Sequence, residues 1–212
     1  MASNDIFEKE SVSSAIIKLA IPTIVSSLVT VIYNLADTYF VGLLNDPVQT
    51  AAVTLAAPAL LAFNAINNLF GVGTSSAMSR ALGRGASNLV RRCSVFGLYC
   101  AFISSVLFSV FTGLFRTPLL GLLGASAKNA AATSEYMRWA VTCGAVPSIL
   151  NVVFAFLVRS EGSSLHASIG TMSGCILNII LDPIFIMPWG FNMGAAGAGL
   201  ATFLSNCVAC LY

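Results

Sequence analysis

Long apolar stretches separated by short polar breaks run the length of the chain. They predict helices over about 15–43, 51–79, 93–115, 132–159, 164–187 and 193–212. The first reads AIIKLAIPTIVSSLVTVIYNLADTYFVG; at about 1.5 Å per residue a helix of that length spans roughly 40 Å, enough to cross a bilayer with tilt to spare. The breaks are brief. Asn45 to Gln49 is polar, Gly83 and Gly85 interrupt a run of arginines, and Arg159 to Gly162 and Pro188 to Gly190 make turns. Between the third and fourth stretches, Arg116, Pro118 and the glycine-containing segment to Lys128 form a turn with room for a short interfacial helix. The pattern predicts an all-α integral membrane protein, a six-transmembrane-helix bundle forming one domain over 1–212. Nothing divides it: no linker or low-complexity region interrupts the chain. The sixth stretch is still running at Leu211 and Tyr212, so the sequence reads as a fragment of a longer chain.

Composition agrees with the pattern. Of 212 residues 57% are hydrophobic and 8% charged, against about 25% charged in a soluble domain. Too few charges remain to cover a water-facing surface, so membrane lipid is the expected surrounding. A net charge of +2 points to no nucleic acid. The polar, acidic start MASNDIFEKESVSS is not a cleavable signal peptide. Six cysteines fall in or beside apolar stretches, where cysteine behaves as a small hydrophobe. Cys207 and Cys210 lie three residues apart with no second pair or histidine cluster, which argues against a metal or redox role. Lys9, Lys18, Arg80, Arg84, Arg91, Arg92 and Arg159 fall on one side of the predicted topology, and Arg116, Lys128 and Arg138 on the other. The basic excess places the N-terminus in the cytoplasm of a multi-pass cell-membrane protein, with Trp139 and Trp189 near the outer interface.

Candidate chemistry comes from polar residues inside the apolar stretches. Asp37 sits in the first helix with no basic residue nearby in sequence, at an insertion cost on the order of 3 kcal/mol. Asp182, in the fifth, falls at a similar depth in the outer half of the membrane. Asn34 and Asp37 are three apart, and Asn178 and Asp182 four apart, so each pair shares a helix face. Thr202 reaches a similar depth from the sixth helix. Two carboxylates, two amides and a hydroxyl thus converge on one layer of oxygen donors, suited to a proton or a hard cation such as sodium at Asp37 and Asp182. The blander readings are helix ends at the interface for Asp37 and for Asp182 beside Pro183, and interhelical hydrogen bonding for the asparagines. On the second helix Asn64, Asn68, Gly71 and Ser75 form one stripe that either admits a close neighbour or lines a wet cavity. Asn151 points to the same cavity; Tyr136 serves equally as a lining residue or an interfacial anchor. His166 reads as a solvated helix end. No phosphate loop, Ser/His pair or intramembrane metal motif is present, so the chain does not read as an enzyme.

These residues resemble a known family. Pro22 to Asp37 followed by TYFVG is similar to the first helix of the multidrug and toxic compound extrusion (MATE) transporters. AAPALLAFNAINNLFGVGTSSAMSRALGRG is similar to their second helix, and NIILDPIFI at 178–186 to their fifth. The resemblance implies the N-terminal lobe of a twelve-helix, two-lobe transporter, with a C-terminal lobe or second half as partner. It implies export of organic cations or amphipathic compounds in exchange for protons or sodium, with no other cofactor. Asp37, Asn178, Asp182 and Thr202 match the family's N-lobe cation site, and Pro22 matches the proline at which the first helix of some members bends. Two other readings stay open: a flippase of lipid-linked precursors or polysaccharides from the same superfamily, and a non-transporting membrane scaffold or half-protein.

Overall fold

The computed structural model describes residues 11–212. Lys9, counted above for the inner side, and the rest of residues 1–10 lie outside the described residues. Every regular element among the described residues is helical. Helix α1 (Val12–Gly42) is one uninterrupted rod with Pro22 inside it. Asp46 accepts from the Val48 amide and Pro47 occupies the first turn, so α2 (Pro47–Asn67) starts earlier than the apolar stretch does. It continues through a wide π-type turn (Asn68–Val72) into α3 (Gly73–Gly83). Gly85, at φ +67°, turns the chain into α4 (Ser87–Leu114). This helix begins before Cys93, so Arg91 and Arg92 belong to its first turns rather than to a loop. The short α5 (Arg116–Leu122) fills the connection to the fourth span.

The fourth predicted helix is broken. Helix α6 (Ala130–Met137) and a second π-type turn (Arg138–Cys143) meet α7 (Ala145–Ser160) at 44°. The break falls at Gly144, where an added Cβ would strike the Ala140 carbonyl oxygen. Pro147, without an amide hydrogen, sits in the first turn of α7, where that loss costs little. Helices α8 (Ser164–Ile186) and α9 (Ala195–Leu211) complete the fold. Four of the predicted spans are single long apolar helices, the bent pair supplies a fifth, and α9 is a shorter apolar helix.

Small residues let these helices approach closely, as packing in lipid favours. The backbone of Gly97 on α4 lies against Thr74 on α3, Gly71 against Phe156, and Gly174 against Ala209 and Ser205. One core gathers Val41, Ala52, Ala56, Tyr136, Met137, Ile186 and Ala198; another gathers Phe63, Met78, Ala101, Ile149 and Val153. The first helix is less enclosed. It packs chiefly against α8 and touches α2 and α9 only lightly. Most of its apolar side chains, among them Ile17, Ile24, Leu28, Val31 and Leu35, are exposed on the outside of the bundle.

Candidate functional site

The helices enclose a cavity of about 520 Å³. Its wall is mixed: Val53, Ala57, Leu60 and Phe63 give it an apolar side, and a band of hydroxyls, amides and one carboxylate gives it a polar one. Helix α1 contributes Thr30, Tyr33, Asn34, Asp37 and Thr38. Steps of three and four residues put them on the inward face of an otherwise exposed helix. Helix α8 contributes Thr171, Cys175 and Asn178, and α9 contributes Thr202 and Asn206.

The layer of oxygen donors expected from the sequence is assembled here. Asp37, Asn34, Asn178 and Thr202 line the cavity. Asp182 stands one helical turn beyond Asn178, 0% exposed. With the Asn178 amide oriented to satisfy both its neighbours, its nitrogen donates to Asp182 Oδ2 at 3.1 Å. Its oxygen accepts from the Thr202 backbone amide at 3.2 Å. The Thr202 hydroxyl lies 3.4 Å from the Asn178 side-chain amide. The remaining oxygens are the notable ones. Asp37 Oδ1 and Asp182 Oδ1 are both buried, and neither has a hydrogen-bond partner among the described residues. Buried polar atoms are ordinarily paired, and two unpaired carboxylate oxygens near one cavity suit a proton or a hard cation. No group of three or more His, Cys, Asp or Glu side chains gathers among the described residues.

The other predicted residues separate. Asn34 donates to the Thr30 carbonyl of its own helix at 2.9 Å, so its nitrogen braces α1 rather than bridging helices. Asn64, Asn151 and Tyr136 line the cavity, Tyr136 with only 3% exposed. Asn68 does not. The cavity face of α2 runs through Leu60, Phe63, Asn64 and Asn67, and Asn68 lies a further 100° round, exposed outside. Asn67 takes the place expected of it, buried and with an unpaired Oδ1. Pro22 lies inside the continuous α1. Tyr33 and Asn206 also line the cavity and are not among the residues expected from the sequence, although Tyr33 is four residues from Asp37 and Asn206 four from Thr202. Asn206 accepts from the Asn151 amide at 3.1 Å and ties α9 to α7 across the cavity. Gln49 was also missed: its Oε1 accepts from the Ala195 amide at 2.9 Å and caps α9 from α2.

Comparison with known proteins gives a consistent picture. The MatE family model matches residues 22–184. The multidrug export protein MepA of Staphylococcus saprophyticus is 33% identical over 206 residues, covering 97% of this chain and 45% of its own. A MOP superfamily transporter from Pyrococcus furiosus superposes with a TM-score of 0.90 at 32% identity, covering 100% of this chain and 46% of that one. A MATE protein in its straight conformation superposes at 0.91, with 32% identity and the same coverage. The chain therefore spans about half the length of the curated relatives it matches.

Proposed function

Because the chain belongs to the MATE family of membrane transporters, we propose that it is the cation-coupling lobe of a secondary active multidrug exporter. On this reading it works in the cell membrane with its N-terminus in the cytoplasm. It pairs with a second six-helix lobe and moves organic cations or other amphipathic compounds outward against inward proton or sodium flow. The observation that carries the reading is the pair of buried, unpartnered oxygens of Asp37 and Asp182 beside one cavity. A charged group inside a membrane protein is costly and is kept where it does work.

The mechanism uses the geometry directly. Asp182 is fixed by the Asn178 bridge, whereas Asp37 rides on α1, whose main contact is with α8. A proton or sodium ion shared by the two carboxylates removes their repulsion and draws α1 toward α8. Pro22 offers the point about which that helix bends, since it lacks one backbone hydrogen bond. Movement of α1 narrows the cavity and releases the substrate outward; return of the cation to the cytoplasm resets the site.

The flippase reading is weaker. Among the described residues no Lys or Arg lines the cavity, which favours a cationic or neutral substrate over an anionic lipid-linked one. A scaffold has no use for the buried acids.

Ethidium efflux from proteoliposomes under separate proton and sodium gradients tests the proposal. The chain is assayed alone and as the first half of a full-length relative. The hybrid is expected to export dye, and its Asp37→Asn variant to fail under both gradients. Full gradient-driven export by the Asp37→Asn hybrid would sink the reading.

A further inference from the structure

The start of α4 carries a second feature, remote from the cavity. Asn88, Arg91, Arg92, Val95, Phe96 and Tyr99 lie together on the outside of the bundle. Their spacing of three and four residues places them on one helix face. The face is graded. Its first turns present an amide and two guanidinium groups; the next two present Val95, Phe96 at 71% and Tyr99 at 64% exposed. Arg80 and Arg84 lie just before it at the end of α3, so four arginines occur within residues 80–92. No Asp or Glu occurs anywhere from Pro47 to Ser134. Arg80 has the Ser76 hydroxyl as a partner at 2.8 Å. Among the described residues no carboxylate pairs with Arg91 or Arg92. Two adjacent exposed guanidiniums above a strip of exposed apolar rings match an amphiphile with an anionic head and a hydrocarbon tail.

We propose that this face of α4 is a binding site for an anionic phospholipid, its phosphate held by Arg91 and Arg92 and its acyl chain laid along Val95, Phe96 and Tyr99. Guanidinium suits phosphate because its planar donors can engage two oxygens at once. Clusters of basic side chains at a membrane boundary attract anionic headgroups. Along α4 the distance from Arg92 to Tyr99 is about 10 Å, so the headgroup contact and the first several methylenes of a chain fall on one helix.

The test is native mass spectrometry of the purified chain released from mixed micelles. Those micelles contain equal phosphatidylglycerol and phosphatidylcholine of matched chains. Arg91→Gln/Arg92→Gln is compared with Arg116→Gln/Lys128→Gln, which removes the same charge elsewhere, and with Phe96→Ala. Unchanged chain is expected to retain phosphatidylglycerol over phosphatidylcholine. The α4 double variant is expected to lose about thirtyfold in that retention, the Arg116/Lys128 pair to keep it, and Phe96→Ala to bind both lipids less well. The proposal is overturned if the two charge-matched pairs lose selectivity equally, since that is bulk attraction. It is overturned as well if phosphatidylcholine is retained as strongly as phosphatidylglycerol, or if a soluble protein or a second copy of the chain occupies the face instead. Apparent melting temperatures of all variants, measured in the same micelles, confirm that they remain folded.

Discussion

The Asn178 side chain joins the Asp182 carboxylate on its own helix to the backbone of Thr202 on the next. A single amide therefore sets the position of a buried acid and the seam between α8 and α9. Replacing it removes the donor to Asp182 and the acceptor for Thr202 together. An unsatisfied buried group costs about 1–3 kcal/mol. Asn178→Ala is expected to lower the apparent melting temperature of the chain in detergent by about 3–10 °C. Asn178→Asp keeps the size but puts a third carboxyl beside Asp182, and is expected to be the worse of the two. Thermal unfolding of both variants, side by side, checks the order.

Gly97 and Thr74 give a second expectation. A Cβ at position 97 would overlap the Thr74 side chain, so Gly97→Val forces α3 and α4 apart. Overpacking of this kind costs typically 1–3 kcal/mol, about the same range as above. Thr74→Ala removes the overlapping hydroxyl and methyl, and is expected to recover part of the loss. A double-mutant cycle on melting temperature reads the coupling, which is expected to be well away from zero.

Gln49 caps a helix to which it does not belong. Its side chain satisfies the Ala195 amide at the start of α9, next to Gly194 at φ +56°. Gln49→Ala is expected to cost about 0.5–2 kcal/mol, the range for a lost N-terminal cap. Hydrogen exchange should quicken at the first amides of α9 and stay unchanged at the middle of α8. Uniform quickening across both helices would argue against a local cap.

The Asn151–Asn206 pair offers a test of the cavity itself. Both amides face the space in which a substrate would lie. Asn206→Leu is expected to leave the fold intact and to shift the hybrid exporter toward less polar dyes, with the strongest loss for compounds carrying hydrogen-bond donors. An unchanged preference across a dye series would remove this pair from substrate recognition.

Much of the fold can be read from hydropathy alone, because a bilayer forces long apolar helices and leaves few other choices. The Asp37, Asn178 and Thr202 convergence is also legible, since helix rise gives depth and three- or four-residue spacing gives face. What escapes is rotation. Asn67 and Asn68 are equally good neighbours of Asn64 in sequence, and only packing against the rest of the bundle selects Asn67. The two π-type turns, at Asn68–Val72 and Arg138–Cys143, leave no compositional trace. Tyr33 and Asn206 obeyed the same spacing rule as the residues singled out. Spacing alone does not single them out, because an aromatic ring and an amide in a membrane helix have other common uses. The N-terminal limit of α4 was hidden by its arginines, which look like a loop and fold as helix.

Helix α1 is fastened to the bundle chiefly along its seam with α8. Mechanically this makes it the outermost strip of a laminate. Pulled from its N-terminal end by a probe tip, it is expected to peel away first, at low force and in one step, while the other helices stay docked. The resistance it does offer lies where Thr30 meets Cys175 of α8 at 3.7 Å and where Arg159 of α7 reaches Ser26 at 3.5 Å. A force trace should therefore register these two points as brief stops along an otherwise smooth extraction.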